Sequence, residues 1–149
     1  MYHLANFNRA RARAETDDPV MHGFTSRLDE INALADAAPG FVWRLQTPSG
    51  NATELRPYPD LRWLVNLSVW ESVESLQAFV YRGGHRELVA GGRAWFEPSD
   101  QPTLVLWWIP VGERPSLEEG VARLDRLHRE GPSAAAFSFR QPFPSPTVD

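Results

Sequence analysis

The sequence predicts an α+β fold built on an antiparallel sheet, and three patterns carry that prediction. Residues 63–70 alternate as a half-buried strand does, and a helix-periodic stretch separates two short apolar strands in the first third of the chain. Residues 103–109 form an apolar run of strand length. The elements predicted over residues 1–110 follow the order β-α-β-β-α-β, which is the ferredoxin-like split βαβ arrangement.

The chain begins with a predicted strand over residues 2–8, where alternation is weak. A helix is predicted to start at Asp18 and Pro19, an N-cap acid followed by proline at the first helical position. Its apolar residues recur at spacings of three and four, so we expect one long helix that ends before Pro39: Val20, Phe24, Leu28, Ile31 and Ala35.

A second strand over residues 41–45 is predicted to lead into a loop rich in proline, glycine and asparagine at residues 47–60. The third strand spans residues 62–70. Ser72 can cap the next helix, whose apolar face carries Leu76, Phe79 and Val80. Gly83 and Gly84 are expected to interrupt that helix.

The last part of the chain adds a helix and a strand to this core. Ser116 and Glu119 form a capping box before a helix with Leu117, Val121, Leu124 and Leu127 on one face. A short strand is predicted at residues 135–140, followed by an extended proline-rich tail. We therefore expect a single domain over residues 1–149, with its core at 1–110 and an α-β extension and tail at 111–149.

Composition excludes several kinds of chemistry. The chain of 149 residues has no cysteine and no lysine, since all 15 basic residues other than histidine are arginine. Thiolate nucleophiles, cysteine-bound metals and lysine Schiff bases are thereby excluded. No pair of the four histidines has a spacing typical of a metal site, so neither a metal nor another cofactor is predicted.

Charge and hydropathy bear on partners and location. The net charge of −4 argues against nucleic acid or an anionic membrane as the main partner. No apolar run approaches the roughly 20 residues that span a bilayer, and the first residues lack the pattern of a signal peptide. We expect a cytoplasmic protein. Helices cover one face of the predicted sheet, so a second copy could cover the other, and six tryptophans favour such a homodimer.

Three side chains on one face of the third strand are the first candidates for a site. Asn66 and Ser68 share that face with Trp70, and polar groups in a central strand need partners. They form either an internal hydrogen-bond network or the wall of a pocket beside an aromatic ring. His85 follows the double glycine and is close to Tyr81 and Arg86. There it either moves protons at neutral pH or only caps the helix.

Several motifs resemble those of the bacterial family defined as domain of unknown function 3291. They are Ser68-Val-Trp-Glu-Ser72, Phe79-Val-Tyr-Arg-Gly-Gly-His85, Trp95-Phe96, Leu106-Trp-Trp-Ile-Pro110, Gly131-Pro-Ser133 and Ala136-Phe-Ser-Phe139, and they cover nearly the whole chain. That family is similar to the dimeric α/β-barrel superfamily, which includes antibiotic-biosynthesis-type monooxygenases. The resemblance implies a dimeric α/β barrel.

The resemblance also implies an activity and a set of site residues. Asn66 and Trp70 match the spacing seen in monooxygenases that use neither metal nor flavin and act on hydrophobic aromatic or polyketide-like metabolites. By that likeness Asn66 would bind a substrate oxygen, Trp70 would shape the pocket, and His85 or Tyr81 would move a proton. Ser68, Arg86 and Trp95 are assigned to substrate binding on the same basis.

Other functions stay open at this point. The haem-degrading branch of the superfamily fits less well, because Phe79 replaces its helix tryptophan and Val89 takes the place of its haem-ligating histidine. A non-redox cyclase, isomerase or lyase could use the same pocket. A non-catalytic ligand-binding or structural dimer is the third alternative.

Overall fold

The computed structural model describes residues 1–46, 55, 57–82 and 95–146. Four strands and four α-helices are described, and a 3-10 turn at Pro19–Met21 precedes the first helix. The strands are β1 (Tyr2–Arg11), β2 (Phe41–Arg44), β3 (Trp63–Trp70) and β4 (Leu104–Pro110). The helices are α1 (His22–Thr25), α2 (Leu28–Asp36), α3 (Val73–Arg82) and α4 (Leu117–Glu130).

The four strands form one antiparallel sheet in the order β2-β3-β1-β4. This order places the first and third strands at the centre, as a ferredoxin-like split βαβ fold requires. The predicted fold class is confirmed. β1 runs three residues further than predicted, because Arg11 still pairs with Trp63 of β3.

The two faces of the sheet are covered by different helices. α3 packs on one face, where Leu76 joins a buried cluster with Leu4 and Trp70. α4 lies across the other face, where Leu124 and Leu127 join a larger buried cluster with residues of β1, β3 and β4: Ala5, Phe7, Val65, Leu67, Val69, Val105, Trp107 and Ile109. The second face is therefore covered in part by the chain itself.

The single long helix predicted after Asp18 is wrong. The segment is divided into the 3-10 turn, α1 and α2, with a break at Ser26 and Arg27. The Ser26 hydroxyl donates to the Gly23 carbonyl, and the Arg27 amide bonds to Phe24 in the tighter i−3 pattern. Serine competes for backbone groups in this way, and it shortens helices.

The strand predicted at residues 135–140 is also wrong. Only Phe137 pairs with the sheet, through two backbone hydrogen bonds of 2.7 and 2.9 Å to Leu106 at the outer edge of β4. Ser133 and Ala136 bond to each other across a tight turn, which leaves too few residues for a regular strand. The fully buried Phe137 side chain anchors this segment.

The residues predicted to interrupt the third helix, Gly83 and Gly84, lie outside the described residues, as does Val89. Most of the predicted loop at 47–60 lies outside them too. Among the described helices, none is long and apolar enough to cross a membrane.

Candidate functional site

A cavity of about 420 Å³ lies between the sheet and the helices α1, α2 and α3. Ligand pockets in proteins commonly start near this size. Apolar and aromatic side chains form most of its helical wall: Phe24, Leu28, Ile31, Ala35, Leu76, Phe79 and Val80. Asn32 of α2 is a polar member of that wall.

Four neutral polar side chains form the floor of the cavity, which we call the polar floor: Asn6, Asn8, Asn66 and Ser68. The pairing of β1 with β3 brings them together, since Asn6 lies opposite Ser68 and Asn8 opposite Asn66. Side chains of directly opposed residues share one face of a sheet. The polar floor is thus a consequence of strand register.

Ser68 is the centre of a small hydrogen-bond network in this floor. Its hydroxyl oxygen accepts from the Asn6 side-chain amide at 3.1 Å and from the Trp70 indole N–H at 3.0 Å. Asn6 is 3% exposed, and its side-chain oxygen has no hydrogen-bond partner among the described residues. Both interpretations of the third strand thus hold for Ser68, which belongs to an internal network and also lines the cavity.

Asn8 and Asn66 differ from Asn6 in their bonding. Within the described part of the chain, neither side-chain amide makes a hydrogen bond, and both side chains are only partly buried. Each carboxamide offers two N–H donors and one acceptor oxygen. The two amides are therefore available to a molecule in the cavity.

Trp70 forms a rigid aromatic wall beside the polar floor. Its ring stacks on Phe79 at a centroid distance of 5.3 Å and meets Phe41 edge-on at 5.4 Å. The side chain is 1% exposed, and its N–H is bonded to Ser68. These contacts fix the plane of the indole ring.

The charged side chains among the cavity residues are engaged elsewhere. Arg44 forms an ion pair with Asp36 of α2, with N–O distances of 2.8 and 3.3 Å. The Arg9 guanidinium lies over the rings of Trp63, at 4.3 Å, and Tyr58, at 5.1 Å. Burial raises the pKa of Tyr58, and the nearby positive charge of Arg9 partly opposes that shift. The polar floor is left without a formal charge.

Of the remaining predicted site residues, the two that the structure describes, Tyr81 and Trp95, do not line the cavity. Tyr81 is 56% exposed on the outer side of α3, where it contacts Phe139. Its position does not support the catalytic role predicted for it. Trp95 packs against Phe24 and is not a lining residue. His85 and Arg86 lie outside the described residues.

Sequence reasoning missed four neutral polar lining residues, Asn6, Asn8, Asn32 and Thr103. The first two alternate with Ala5 and Phe7 along β1, and this alternation was a usable signal. To connect Asn6 and Asn8 with the site, one must also know that β1 pairs with β3, because this pairing puts both asparagines on the same face of the sheet as Asn66. Among the described residues no cluster of histidine and carboxylate side chains could hold a metal ion.

The fold and the cavity define the class of this protein, a ferredoxin-like α+β domain with a ligand-sized cavity between sheet and helices. The family described as domain of unknown function (DUF3291) matches residues 3–149. The chain belongs to that family, and the resemblance stated from its motifs is confirmed. No curated protein matches the sequence.

Two solved structures illustrate the similarity of fold. SnoaB, a cofactor-independent oxygenase from Streptomyces nogalater, is 18% identical with a TM-score of 0.51, and the match covers 78% of this chain and 98% of SnoaB. The protein of unknown function NE2512 from Nitrosomonas europaea is 16% identical with a TM-score of 0.51, covering 78% of this chain and 97% of that protein. At this identity the likeness establishes the fold and not an activity.

Proposed function

We propose that this protein is an enzyme that oxidises a neutral aromatic, polyketide-like molecule with molecular oxygen and requires no protein-bound cofactor. One observation carries the proposal. Two carboxamides that have no hydrogen-bond partner among the described residues, Asn8 and Asn66, lie in an uncharged polar floor beneath the aromatic wall of a cavity of about 420 Å³. An apolar pocket with a few convergent polar groups is the usual form of a small-molecule site.

The cavity suits a flat molecule of two or three fused rings. Trp70 and Phe79 offer aromatic surfaces, and contacts between rings add to the free energy of apolar burial. Asn66 and Asn8 would donate N–H groups to a carbonyl or phenol oxygen of the substrate. Such donors stabilise negative charge that develops on that oxygen when a carbon conjugated with the carbonyl loses a proton.

An anthrone-type substrate illustrates the reaction. Its ring methylene loses a proton, and the negative charge spreads to the oxygen held by the amides. The carbanion reduces oxygen, a C–O bond forms, and the resulting hydroperoxide loses water to leave a ketone. The methylene gives up two hydrogens, one oxygen atom enters the product and the other leaves as water. His85 stays the predicted proton acceptor, outside the described residues.

The similarity to SnoaB supports the choice of an oxygenase over a non-redox enzyme. That protein is described as a cofactor-independent oxygenase, and the structural match covers 98% of SnoaB and 78% of this chain. Its identity of 18% is too low to transfer an activity.

The test is conversion of anthrone by the purified protein in air and under strict anaerobic conditions. We expect the ketone only in air, with one labelled oxygen atom in the product when isotopically labelled oxygen gas is supplied. Equal conversion without oxygen would favour the cyclase, isomerase or lyase alternative. Absence of conversion of anthrone and of related hydroxylated anthrones in air would contradict the proposal.

A further inference from the structure

The hydroxyl group of Ser68 has its acceptor capacity filled by the protein. A serine hydroxyl has two lone pairs and one hydrogen. The Asn6 amide and the Trp70 indole N–H both donate to its oxygen, so both lone pairs are occupied. Within the described residues nothing accepts the hydroxyl hydrogen. Ser68 lines the cavity, so the hydrogen remains for a molecule bound there.

The orientation of the Asn6 amide determines this conclusion, because a flipped amide would let Ser68 donate to it instead. The flip would leave the Asn6 NH₂ group, with its two N–H donors, buried and unpaired. The present orientation leaves the carbonyl oxygen and one of the two N–H groups without a partner among the described residues. Unpaired buried N–H groups are rarer in proteins than under-satisfied carbonyls, so the present orientation is favoured.

We propose that Ser68 is a fixed hydrogen-bond donor that selects ligands carrying a ketone oxygen, and that Asn6 is the positioning residue that holds it so. The inference rests on the proposed function for the location of the site and adds the feature of the ligand that is recognised. Asn6 is 3% exposed and acts through Ser68. A ligand group that can only donate, such as a pyrrole-type N–H, finds no acceptor at Ser68.

The proposed selectivity depends on a single ligand atom, the ketone oxygen, so it is tested with two probes of nearly equal shape that differ in that atom. α-Tetralone carries one ketone oxygen, and tetralin is the same bicyclic hydrocarbon without it. One neutral hydrogen bond corresponds to roughly a three- to tenfold difference in affinity. We expect wild-type protein to bind α-tetralone more tightly than tetralin by at least that factor in ligand-observed NMR titrations.

The variant Ser68→Ala should lower the preference for the ketone by roughly three- to tenfold, the share of one hydrogen bond, and leave the affinity for tetralin unchanged. Any preference that remains is due to the Asn8 and Asn66 amides. Ser133→Ala is the matched control, because it also removes a buried hydroxyl, one that lies outside the cavity and has no hydrogen-bond partner among the described residues. It should keep the full preference. An undiminished preference in Ser68→Ala would overturn the proposal, and so would wild-type protein that binds neither probe.

The role of Asn6 is tested by a double-mutant cycle. Asn6→Ala frees one lone pair of Ser68, so the ketone preference should fall, while the same change in the Ser68→Ala background should not alter it further. A purely structural role of Asn6 would instead change the affinity for both probes equally. An unchanged preference in Asn6→Ala would refute its positioning role.

The result is independent of turnover. A ketone preference that depends on Ser68, together with no oxidation of anthrone, would sustain the ligand inference and contradict the proposed oxygenase. Oxygen-dependent turnover together with a ketone preference that does not depend on Ser68 would support the proposed oxygenase and contradict the ligand inference.

Discussion

Trp70 links the stability of the fold to the shape of the cavity. Its ring is buried between Phe41 and Phe79, and its N–H holds Ser68 in the polar floor. A large buried aromatic side chain contributes through burial and through ring geometry. A change at this residue is therefore expected to affect folding and ligand binding together.

The first prediction separates the contribution of the buried Trp70 ring to stability from that of its hydrogen bond to Ser68. Trp70→Ala should lower the free energy of unfolding by about 3–5 kcal/mol, because it leaves a large void in the core. Trp70→Phe keeps an aromatic ring but loses the bond to Ser68, and should lower it by about 1–2 kcal/mol. Urea unfolding measures both. Trp108→Phe, which loses a bond to the Phe143 carbonyl, is the control and should leave binding of α-tetralone unaffected. Equal stability of Trp70→Ala and wild type would show that the indole is not packed as described.

The second prediction concerns Tyr58, whose pKa is raised above its ordinary value of 10.0 by burial. Its neutral form is favoured in the folded state, so its contribution to stability is complete below about pH 10 and is lost as pH rises through the folded-state pKa. The decline in stability at alkaline pH should be smaller in Tyr58→Phe. Thermal unfolding at a series of pH values from about 8 to 11 measures it. Superimposable pH profiles of the two proteins would argue against this effect.

The sequence indicated part of the site at this scale. Asn66, Ser68 and Trp70 were found because they share one face of a strand that is apolar elsewhere. Asn6 and Asn8 were not, because their significance depends on which strand pairs with β1 and in which register. Neighbours across a sheet are a tertiary property, and one strand's own residues do not specify them.

At the scale of elements, α4 approaches the sheet closely at a single glycine. Gly120 is buried, and a Cβ atom added there would lie 2.7 Å from ring atoms of Phe7 in β1. Since Phe7 is itself fully buried, its ring has little room to move. The glycine thus permits the contact that covers the second face of the sheet.

The third prediction follows from this contact. Helix propensity alone would make Gly120→Ala stabilising by about 1 kcal/mol. Overlap with Phe7 should instead make it destabilising by about 1–3 kcal/mol. The control is Ala122→Gly at an exposed position of the same helix, which should cost about 1 kcal/mol. Chemical denaturation measures the free energy of unfolding of both variants. A Gly120→Ala variant that is more stable than the wild type would mean that α4 does not pack against Phe7 at this position.

Elements with strong local signals were predicted well. The capping box at Ser116 does start α4, where the serine hydroxyl accepts from the Glu119 amide at 3.1 Å. The periodicity after Asp18 correctly predicted helix. It could not predict the break at Ser26 and Arg27, because that break depends on a local hydrogen bond from the Ser26 hydroxyl to the Gly23 carbonyl. Residues 135–140 have the composition of a strand, but the turn before Phe137 leaves only one residue in register with β4.

At the scale of the whole molecule, the homodimer stays a prediction. α4 packs on β1 and β4, and Val65, Leu67 and Val69 of β3 are buried with it, so among the described residues the exposed part of the second face lies at β2 and at the start of β3. Trp43 and Trp63 are partly exposed there. We expect sedimentation equilibrium to give twice the mass of one chain.

Trp43→Glu should weaken this dimer, because it places a charge in an apolar contact. Leu34→Glu is the control, since Leu34 is 40% exposed on α2, beyond the opposite face of the sheet. A monomeric wild-type protein, or a dimer that Trp43→Glu leaves intact, would contradict this placement of the interface.

If the polar floor of the cavity holds the substrate oxygen, kcat/KM for aerobic oxidation of anthrone depends on Asn66, and Asn66→Ala is the variant to measure. Loss of one donor to a developing oxyanion should lower it by about 100-fold or more in a protein that remains folded. Gln77→Ala removes a carboxamide on the outer side of α3 and should leave kcat/KM unchanged. If Asn66→Ala oxidises anthrone as fast as the wild type, the reaction does not take place at this site.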